Sequence, residues 1–530
     1  MKANYIDYSE TNSFSPAIIR YLEHDPDLEP FYSFKANIDG FRKLIDSKKQ
    51  GCNRQILVET LNEQYSRLAQ PVSITVRHNI DLLLQKDTYT VTTGHQLNLF
   101  TGPLYFIFKI VTAINLAREL KINFPDKSFV PVYWMATEDH DFAEINHTYI
   151  GGKKVSWDIG TTGATGRIST KEFGKTLRDY TNTLGVSDHA EELNKLVAGA
   201  YADHSSLADA TRSIVNSLFQ EYGLVILDAD DHRLKKDFSS IIYRDITDQN
   251  SFKNISEANE KLNGLGFDSP VNPREINFFY LQDGLRERIV LEGNKYSVLN
   301  TEIMFSAEEL RKEIEEYPDR FSPNVVMRPL YQEFVLPNLA YIGGAAEVVY
   351  WLQLKQNFDF YQIDFPVLLL RNSALLIPNN LSARLSRLDL DLKDIFKNTE
   401  DLRKEWVRAH STHVLNLDGE LQELDEVFEK IKFRTGKIDP TLVASSEAVK
   451  ARLHKAMKNL EKKLMKVEKR NFSDAINQID SIKDKLFPRG VLQERTENFG
   501  LFYAKYGRGF IEGLIENFKP LDLKFTILEE

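Results

Sequence analysis

The stretch that decides the fold is Tyr89–Ala117, YTVTTGHQLNLFTGPLYFIFKIVTAINLA. Tyr89 to Thr93 are β-branched or aromatic, the composition of a buried strand. They run into Gly94-His95-Gln96-Leu97-Asn98-Leu99-Phe100-Thr101-Gly102-Pro103, and a long apolar helix follows with Pro103 at its first turn. A second strand-like run, Phe129 to Met135 (FVPVYWM), closes the segment. Strand, loop, helix and strand at this spacing make a βαβ unit, which implies a parallel pair and a right-handed crossover. A membrane span is the competing reading of Leu99–Ala117. Gly102, Pro103 and Lys109 interrupt it, and the part after Pro103 is short for a ~30 Å hydrocarbon layer. A helix buried in an α/β core is therefore expected.

Further strands are expected at Gly223–Asp228 (GLVILD) and Phe365–Leu370 (FPVLLL), continuous apolar runs that suit strands covered on both faces. Residues 1–86 read as helical and polar. An α/β core is expected over 87–378, with insertions at about 151–222, where Gly151-Gly152 marks a hairpin, and at 276–300, a small antiparallel patch. Strand signals vanish from 379. Between Pro440 and Pro488, Ser445–Leu486 reads as one long helix with an apolar stripe and a stutter at Asn471. Its expected partners are the Leu417–Phe433 helix and a second subunit, in an antiparallel coiled-coil arm that makes a homodimer. Residues 379–488 form that coiled-coil domain, and 489–530 return to the core.

The chain has 530 residues, 42% of them hydrophobic and 27% charged, with a net charge of −10. That composition is globular, the length suits three or four domains, and the acidic balance argues against broad duplex binding. No nucleic-acid partner is expected. The basic stripe from Lys450 to Arg470 reads as a solvated coiled-coil face, because no aromatic residues interleave it. Cys52, the single cysteine, excludes a disulfide framework and a Cys-rich zinc module and fits a reducing cytosol. The first residues carry no apolar signal region, so a cytoplasmic location without membrane attachment is expected.

Three constellations carry chemistry. In the Thr93–Pro103 loop, which ends in Thr101-Gly102-Pro103 at a helix start, Gly94 and Gly102 allow close backbone approach to an anion, and His95 and Gln96 add donors. The loop is neither GxGxxG nor GxxxxGK[ST]. Glu138-Asp139-His140-Asp141 follows the second strand. If the two strands are parallel neighbours, this cluster lies beside His95, where it would orient an ammonium group, act as a base or hold Mg²⁺. A solvated acidic loop with an N-cap is the alternative. Third, Asn324 and Arg328 precede Gly343-Gly344, a glycine pair opening a helix. Arg328 suits a carboxylate or phosphate, while the glycines either bind an anion or pack helix on sheet.

VTTGHQLNLFTGPLYFIFKIVTAINLA, VPVYWMATEDHDFAEINHTYI and FSPNVVMRPLYQEFVLPNLAYIGGAAEVVYW, together with the C-terminal LQERTENFGLFYAKYGRGFIEGL, resemble the bacillithiol biosynthesis BshC family. The resemblance implies a Rossmann-like core, connecting insertions and a coiled coil used for dimerisation. It also implies the cysteine-ligase step of bacillithiol synthesis, which joins cysteine to glucosaminyl-malate. That family commonly shows Gln after the loop glycine where this chain has His95, which makes Gln96 the binding residue the resemblance carries. Amide formation needs an activated carboxylate, so ATP is the expected activator, with Mg²⁺ as a candidate companion. HxGH and KMSKS, the signatures of adenylating synthetases, are absent. In the expected chemistry, Gln96, His95, Asp139 and Asp141 act at the reacting centre. Gly94, Thr101, Gly102, Glu138, His140, Asn324, Arg328, Gly343 and Gly344 bind substrate or phosphate. Two other classes stay open: a nucleotidyl transferase on another small substrate, and a nucleotide-sensing coiled-coil scaffold.

Overall fold

The computed structural model describes residues 1–49 and 51–530, which fold as two compact units. The first comprises Met1–Ser9, Ser13–Leu376 and Val491–Leu528. The second comprises Glu10–Asn12, Ile377–Gly490 and Glu529–Glu530.

At the centre of the first unit is a five-stranded parallel sheet. Its strands are β1 (Thr88–His95), β2 (Ser128–Met135), β3 (Val225–Asp228), β4 (Asn338–Gly343) and β5 (Val367–Leu370), in the order β5-β4-β1-β2-β3. The expected βαβ unit is present: β1 pairs with β2 in parallel from Thr88↔Ser128 to His95↔Met135. Helix α1 (Tyr105–Asn123) makes the crossover. Pro103 lies two residues before it rather than in its first turn. Ala113, Leu116, Ala117 and Leu120 pack with Val91, Ile342 and Leu369 in one core, which is why the helix is apolar nearly all round. Among the described residues no helix is long and apolar enough to cross a membrane.

Strand order reverses between β1 and β4. Chain after β1 moves outward through β2 to β3, and chain after β4 moves the other way to β5. Such a switch point leaves a crevice at the strands' carboxyl ends. Strand β4 is absent from the sequence reading. Its residues, NLAYIG, carry a polar first position, but Asn338 is satisfied inside the sheet, where its Oδ1 accepts from Thr90 (3.1 Å) and Thr92 (2.8 Å). Lys2–Ile6 is also a strand rather than part of a helical N-terminal region. It lies in a three-stranded sheet with Phe525–Glu529 and Ala374–Ile377.

A hairpin begins at His147, ahead of the insertion expected from about 151, and an antiparallel patch spans the second expected stretch. His147–Ile150 and Lys153–Ser156 form a hairpin turned at Gly151-Gly152. Phe278–Gln282, Leu285–Glu292 and Lys295–Val298 form an antiparallel meander, with Met304–Phe305 and Phe321–Pro323 at its edges. Phe321–Pro323 delivers the chain to Asn324 and then to helix α2 (Met327–Val335).

In the second unit, α4 (Asp418–Ile438) packs antiparallel on α5 (Leu442–Asn471). Their register is marked by Lys432–Glu447 (2.7 Å), Lys450–Asp425 (3.0 Å) and His454–Asp425 (2.7 Å). Acidic α4 thus answers part of the basic stripe. The single long helix expected over Ser445–Leu486 is two helices, α5 and α6 (Ser473–Leu486). The break falls at Phe472, one residue past the expected stutter. The Phe472 ring meets Trp406 edge-on at 5.5 Å, and Glu468 is drawn to Ser411 (2.8 Å) and Asn471 (2.9 Å). At ~1.5 Å per residue, α5 alone is about 45 Å long.

Candidate active site

A cavity of about 430 Å³ opens at the switch point, between the carboxyl ends of β1 and β4 and the start of α2. Gly94, His95 and Gln96 enter from β1, Asp139 from beyond β2, and Arg328 and Gln332 from α2. The seven-residue helix α3 (Ala345–Trp351) contributes Glu347 and Tyr350. The two sequence motifs expected to meet do meet: Gln96 Nε2 donates to Asp139 Oδ2 at 3.1 Å and to Glu144 Oε2 at 2.9 Å.

Asp139 is the hub. Its Oδ1 accepts from the His140 backbone N–H (2.8 Å), and the Arg328 guanidinium lies 3.8 Å from Oδ2. Burial pushes this carboxyl up. Hydrogen bonds from His140 and Gln96 and the positive Arg328 and Arg286 outweigh it and hold the pKa well below the ordinary carboxylate range. An acid this strong orients a cation better than it removes a proton near neutrality. Arg286 is itself pushed down to about 10 by burial and by neighbouring Arg328.

His95 packs its ring against Tyr105 and Phe106, at 5.3 and 5.4 Å between centroids. Burial, then the positive Lys109 and Arg371, pull its pKa well below the usual histidine value, so it is neutral at physiological pH. Its Nε2 is buried without a hydrogen-bond partner among the described residues.

Lys109, Tyr105, Glu347, Arg371 and Arg495 also line the cavity, and none was singled out for chemistry from the sequence. Lys109 Nζ donates to the Gly94 carbonyl (3.0 Å) and to Glu347 (2.7 Å). A lysine amid the apolar stretch Tyr105–Ala117 was the available signal: a buried ammonium needs a partner, and that partner marks a site.

Several expected binding residues lie elsewhere. Thr101 and Gly102 do not line the cavity, because Asn498 Nδ2 ties down the Phe100 and Gly102 carbonyls at 2.9 and 2.7 Å. Gly102 is needed there for conformation: its φ is +66°, and a Cβ would stand 2.5 Å from Asn98 Cβ. Gly343 also stays outside. Its missing side chain lets β4 meet Glu347 and Val348, the structural alternative. Gly344 does line the cavity, but its N–H is already bound by Glu347 Oε2 at 2.7 Å and is not free for an anion. Glu138 is buried in an ion pair with Lys235. Asp141 caps the short Phe142–Ile145 helix through the Glu144 N–H (3.2 Å), the N-cap alternative. His140 bonds Arg286 at 2.7 Å. Asn324 holds the turn that leads into α2, accepting from the Val326 and Met327 N–H groups at 3.0 and 3.3 Å.

Gly94 differs from Gly102. A Cβ there would meet nothing closer than 3.8 Å, and its nearest neighbours, Gln332 and Tyr341, line the cavity. Gly94→Ala is expected to unfold within about 1 kcal/mol of the parent, as a substitution without overpacking should. Its added methyl group would enter the cavity and raise KM. A large fall in Tm measured by calorimetry would instead make Gly94 structural.

The lining offers two carboxylates, Asp139 and Glu347, both already engaged. Among the described residues no group of three or more His, Cys, Asp or Glu side chains is disposed to hold a metal ion. A protein-built Mg²⁺ cage therefore does not fit these side chains. Four cations, Lys109, Arg328, Arg371 and Arg495, stand against the two carboxylates, but Arg371 is already paired with buried Glu494, so the surplus is one and the residues fit an anionic group.

Residues 1–372 match the family model described as the N-terminal Rossmann-like domain of bacillithiol biosynthesis BshC, and residues 374–530 match its C-terminal coiled-coil domain. A Flavobacterium johnsoniae protein named "Putative cysteine ligase BshC" is 42% identical over 531 residues, covering 100% of both chains. A relative of the same name from Christiangramia forsetii is 42% identical and covers 100% of this chain and 99% of its own. One from Cytophaga hutchinsonii is 38% identical, covering 97% and 96%. With both domain models matched along nearly its whole length, the chain belongs to the BshC family of bacillithiol biosynthesis.

Proposed function

We propose that this chain is a carbon–nitrogen ligase that joins cysteine to the amine of glucosaminyl-malate. The observation that carries this reading is the charge pattern of the switch-point cavity. Its surplus positive charge suits a carboxylate of malate or a phosphate, and its ionised Asp139 suits an ammonium group. Arg328, with its planar fork, and Arg495 hold the anion. Asp139 with Gln96 positions the amine, and neutral His95 offers a hydrogen bond without adding charge. ATP supplies the activation of the cysteine carboxyl as a co-substrate, because a carboxylate and an amine do not condense unaided in water.

Incubation of the purified protein with cysteine, glucosaminyl-malate and ATP, read by mass spectrometry, tests the reading. The amide product is expected, and the ratio of ADP to AMP identifies the activation. Pyrophosphate release without amide would replace the reading with a nucleotidyl transferase. No product with any nucleotide or metal would replace it with a nucleotide-sensing scaffold.

The coiled coil supports a homodimer as part of this reading. Leu442, Val449, Leu453, Leu460, Leu464 and Val467 of α5 stay substantially exposed and are spaced by three, four or seven residues, a stripe that a second copy would cover. Leu460→Glu with Val467→Glu is expected to convert a dimer to the 61.1 kDa monomer in light scattering. An unchanged dimer mass would place the interface elsewhere.

A further inference from the structure

A second cavity, of about 260 Å³, opens at the other end of the central sheet. Tyr89 at the start of β1, Pro337 just before β4 and Asp364 shortly before β5 all line it, which places it at the strands' amino ends. Its apolar wall includes Phe334 and Leu336.

Glu333 of α2 also lines this cavity and is 6% exposed. Its Oε1 accepts from Gln332 Nε2 at 2.9 Å and from Asn338 Nδ2 at 2.8 Å. Its Oε2 is buried with no hydrogen-bond partner among the described residues. An unmet buried acceptor costs about 1–3 kcal/mol, more when charged. A second carboxylate, Asp364, accepts from the Lys49 N–H at 2.8 Å and lies 3.8 Å from the Lys48 ammonium. Arg54 lines the cavity too, but its guanidinium is spent on the carbonyls of Leu83, Lys86 and Thr88. Two carboxylates therefore share the cavity with the Lys48 ammonium and the Arg54 guanidinium, whose bonds to carbonyls leave its charge in place, and what the site lacks is a donor to Glu333 Oε2. Burial raises the Glu333 carboxyl to about 7, against the opposing pull of Lys48. A bare metal ion fits less well, since no group of three or more ligating side chains occurs among the described residues.

We propose that this cavity binds a small primary ammonium compound of amino-acid size. Its ammonium donates to Glu333 Oε2 beside Asp364, and its body lies on Phe334 and Leu336. Gln332 lines the first cavity and donates to Glu333, so the two cavities share a wall.

Cys52, the single cysteine of the chain, lines the same cavity and serves as a built-in reporter. The experiment measures alkylation of Cys52 by iodoacetamide in the full-length protein with n-butylammonium, L-methionine or neutral butyramide present. Calorimetric titration of the same three compounds gives a readout that does not depend on the thiol. By mass action, n-butylammonium at ten times its dissociation constant is expected to slow labelling about tenfold. Butyramide should do nothing, and Glu333→Gln should abolish both protection and heat. Protection by L-methionine alone would identify the occupant as a zwitterion, with its carboxylate on Lys48. If Glu333→Gln does not fold, Asp364→Asn is expected to weaken both signals. Neither protection nor heat from either ammonium compound would overturn the proposal. So would equal protection by butyramide, or by n-butylammonium in a folded Glu333→Gln variant.

Discussion

Asp139→Asn is expected to lower kcat/KM for amide formation about 10- to 150-fold, the ~1.5–3 kcal/mol of a hydrogen bond to a charged group. Asparagine keeps the shape and can still accept from the His140 N–H, 2.8 Å away in the parent, but its Nδ2 stands where Oδ2 accepts from Gln96 at 3.1 Å, so that bond goes with the charge. What it removes is the negative charge between Arg328 and the incoming amine. A second readout separates this role from a merely structural one. The Asp139 pKa is depressed in the folded state. Its contribution to stability is therefore fully present above the unfolded carboxylate value of about 3.9 and is lost as pH falls through the folded value. The variant should lose part of the parent's decline in stability below about pH 4, followed by urea unfolding across acid pH. Parental kcat/KM in a folded Asp139→Asn would remove Asp139 from the chemistry.

Arg371→Met is expected to destabilise the protein by about 3–5 kcal/mol, the cost of leaving a buried charge uncompensated. Glu494 is 0% exposed and has Arg371 Nη2 at 2.7 Å and the Ala374 N–H at 3.1 Å as its donors. Removing the guanidinium strands that carboxylate. Arg371 with Glu494 replaced by Met together should cost less than the sum of the single changes, because the stranded charge goes with its partner. Urea unfolding of the three variants checks this, and additive costs or a loss under about 1 kcal/mol would show the pair to be dispensable. Arg371 also lines the active cavity, so the same residue holds the C-terminal segment to the core and supplies one of its cations.

The legible parts of this protein are those written in local pattern. YTVTT and FVPVYWM are strands because β-branched and aromatic side chains suit a pleated, doubly covered surface, and their spacing admits only a parallel crossover. Given that pairing, Gln96 and Asp139 had to emerge at neighbouring strand ends, and they do. Thr101 and Gly102 looked like the same kind of residue as Gly94. Only Asn498, some 400 positions along the chain, shows that they are pinned for structure, and its 2.7 Å bond to Gly102 has no trace in local pattern. Glu138 and Asp141 stand two residues apart from His140 and Asp139 respectively, yet one is buried on Lys235 and the other caps a helix.

What the amino-acid order determined alone is the parallel pair, the buried crossover helix, the change to helices after the core and the meeting of two catalytic-looking loops. Each follows from periodicity and chain reach over a few dozen residues. The tertiary structure decided the rest: that β4 slots between β1 and β5, that the strand order reverses there, and that Lys109, Glu347, Arg371 and Arg495 gather around the resulting crevice. The physical reason is that a charge is expensive to bury unless another meets it, and which charge meets which depends on contacts between segments far apart in the chain.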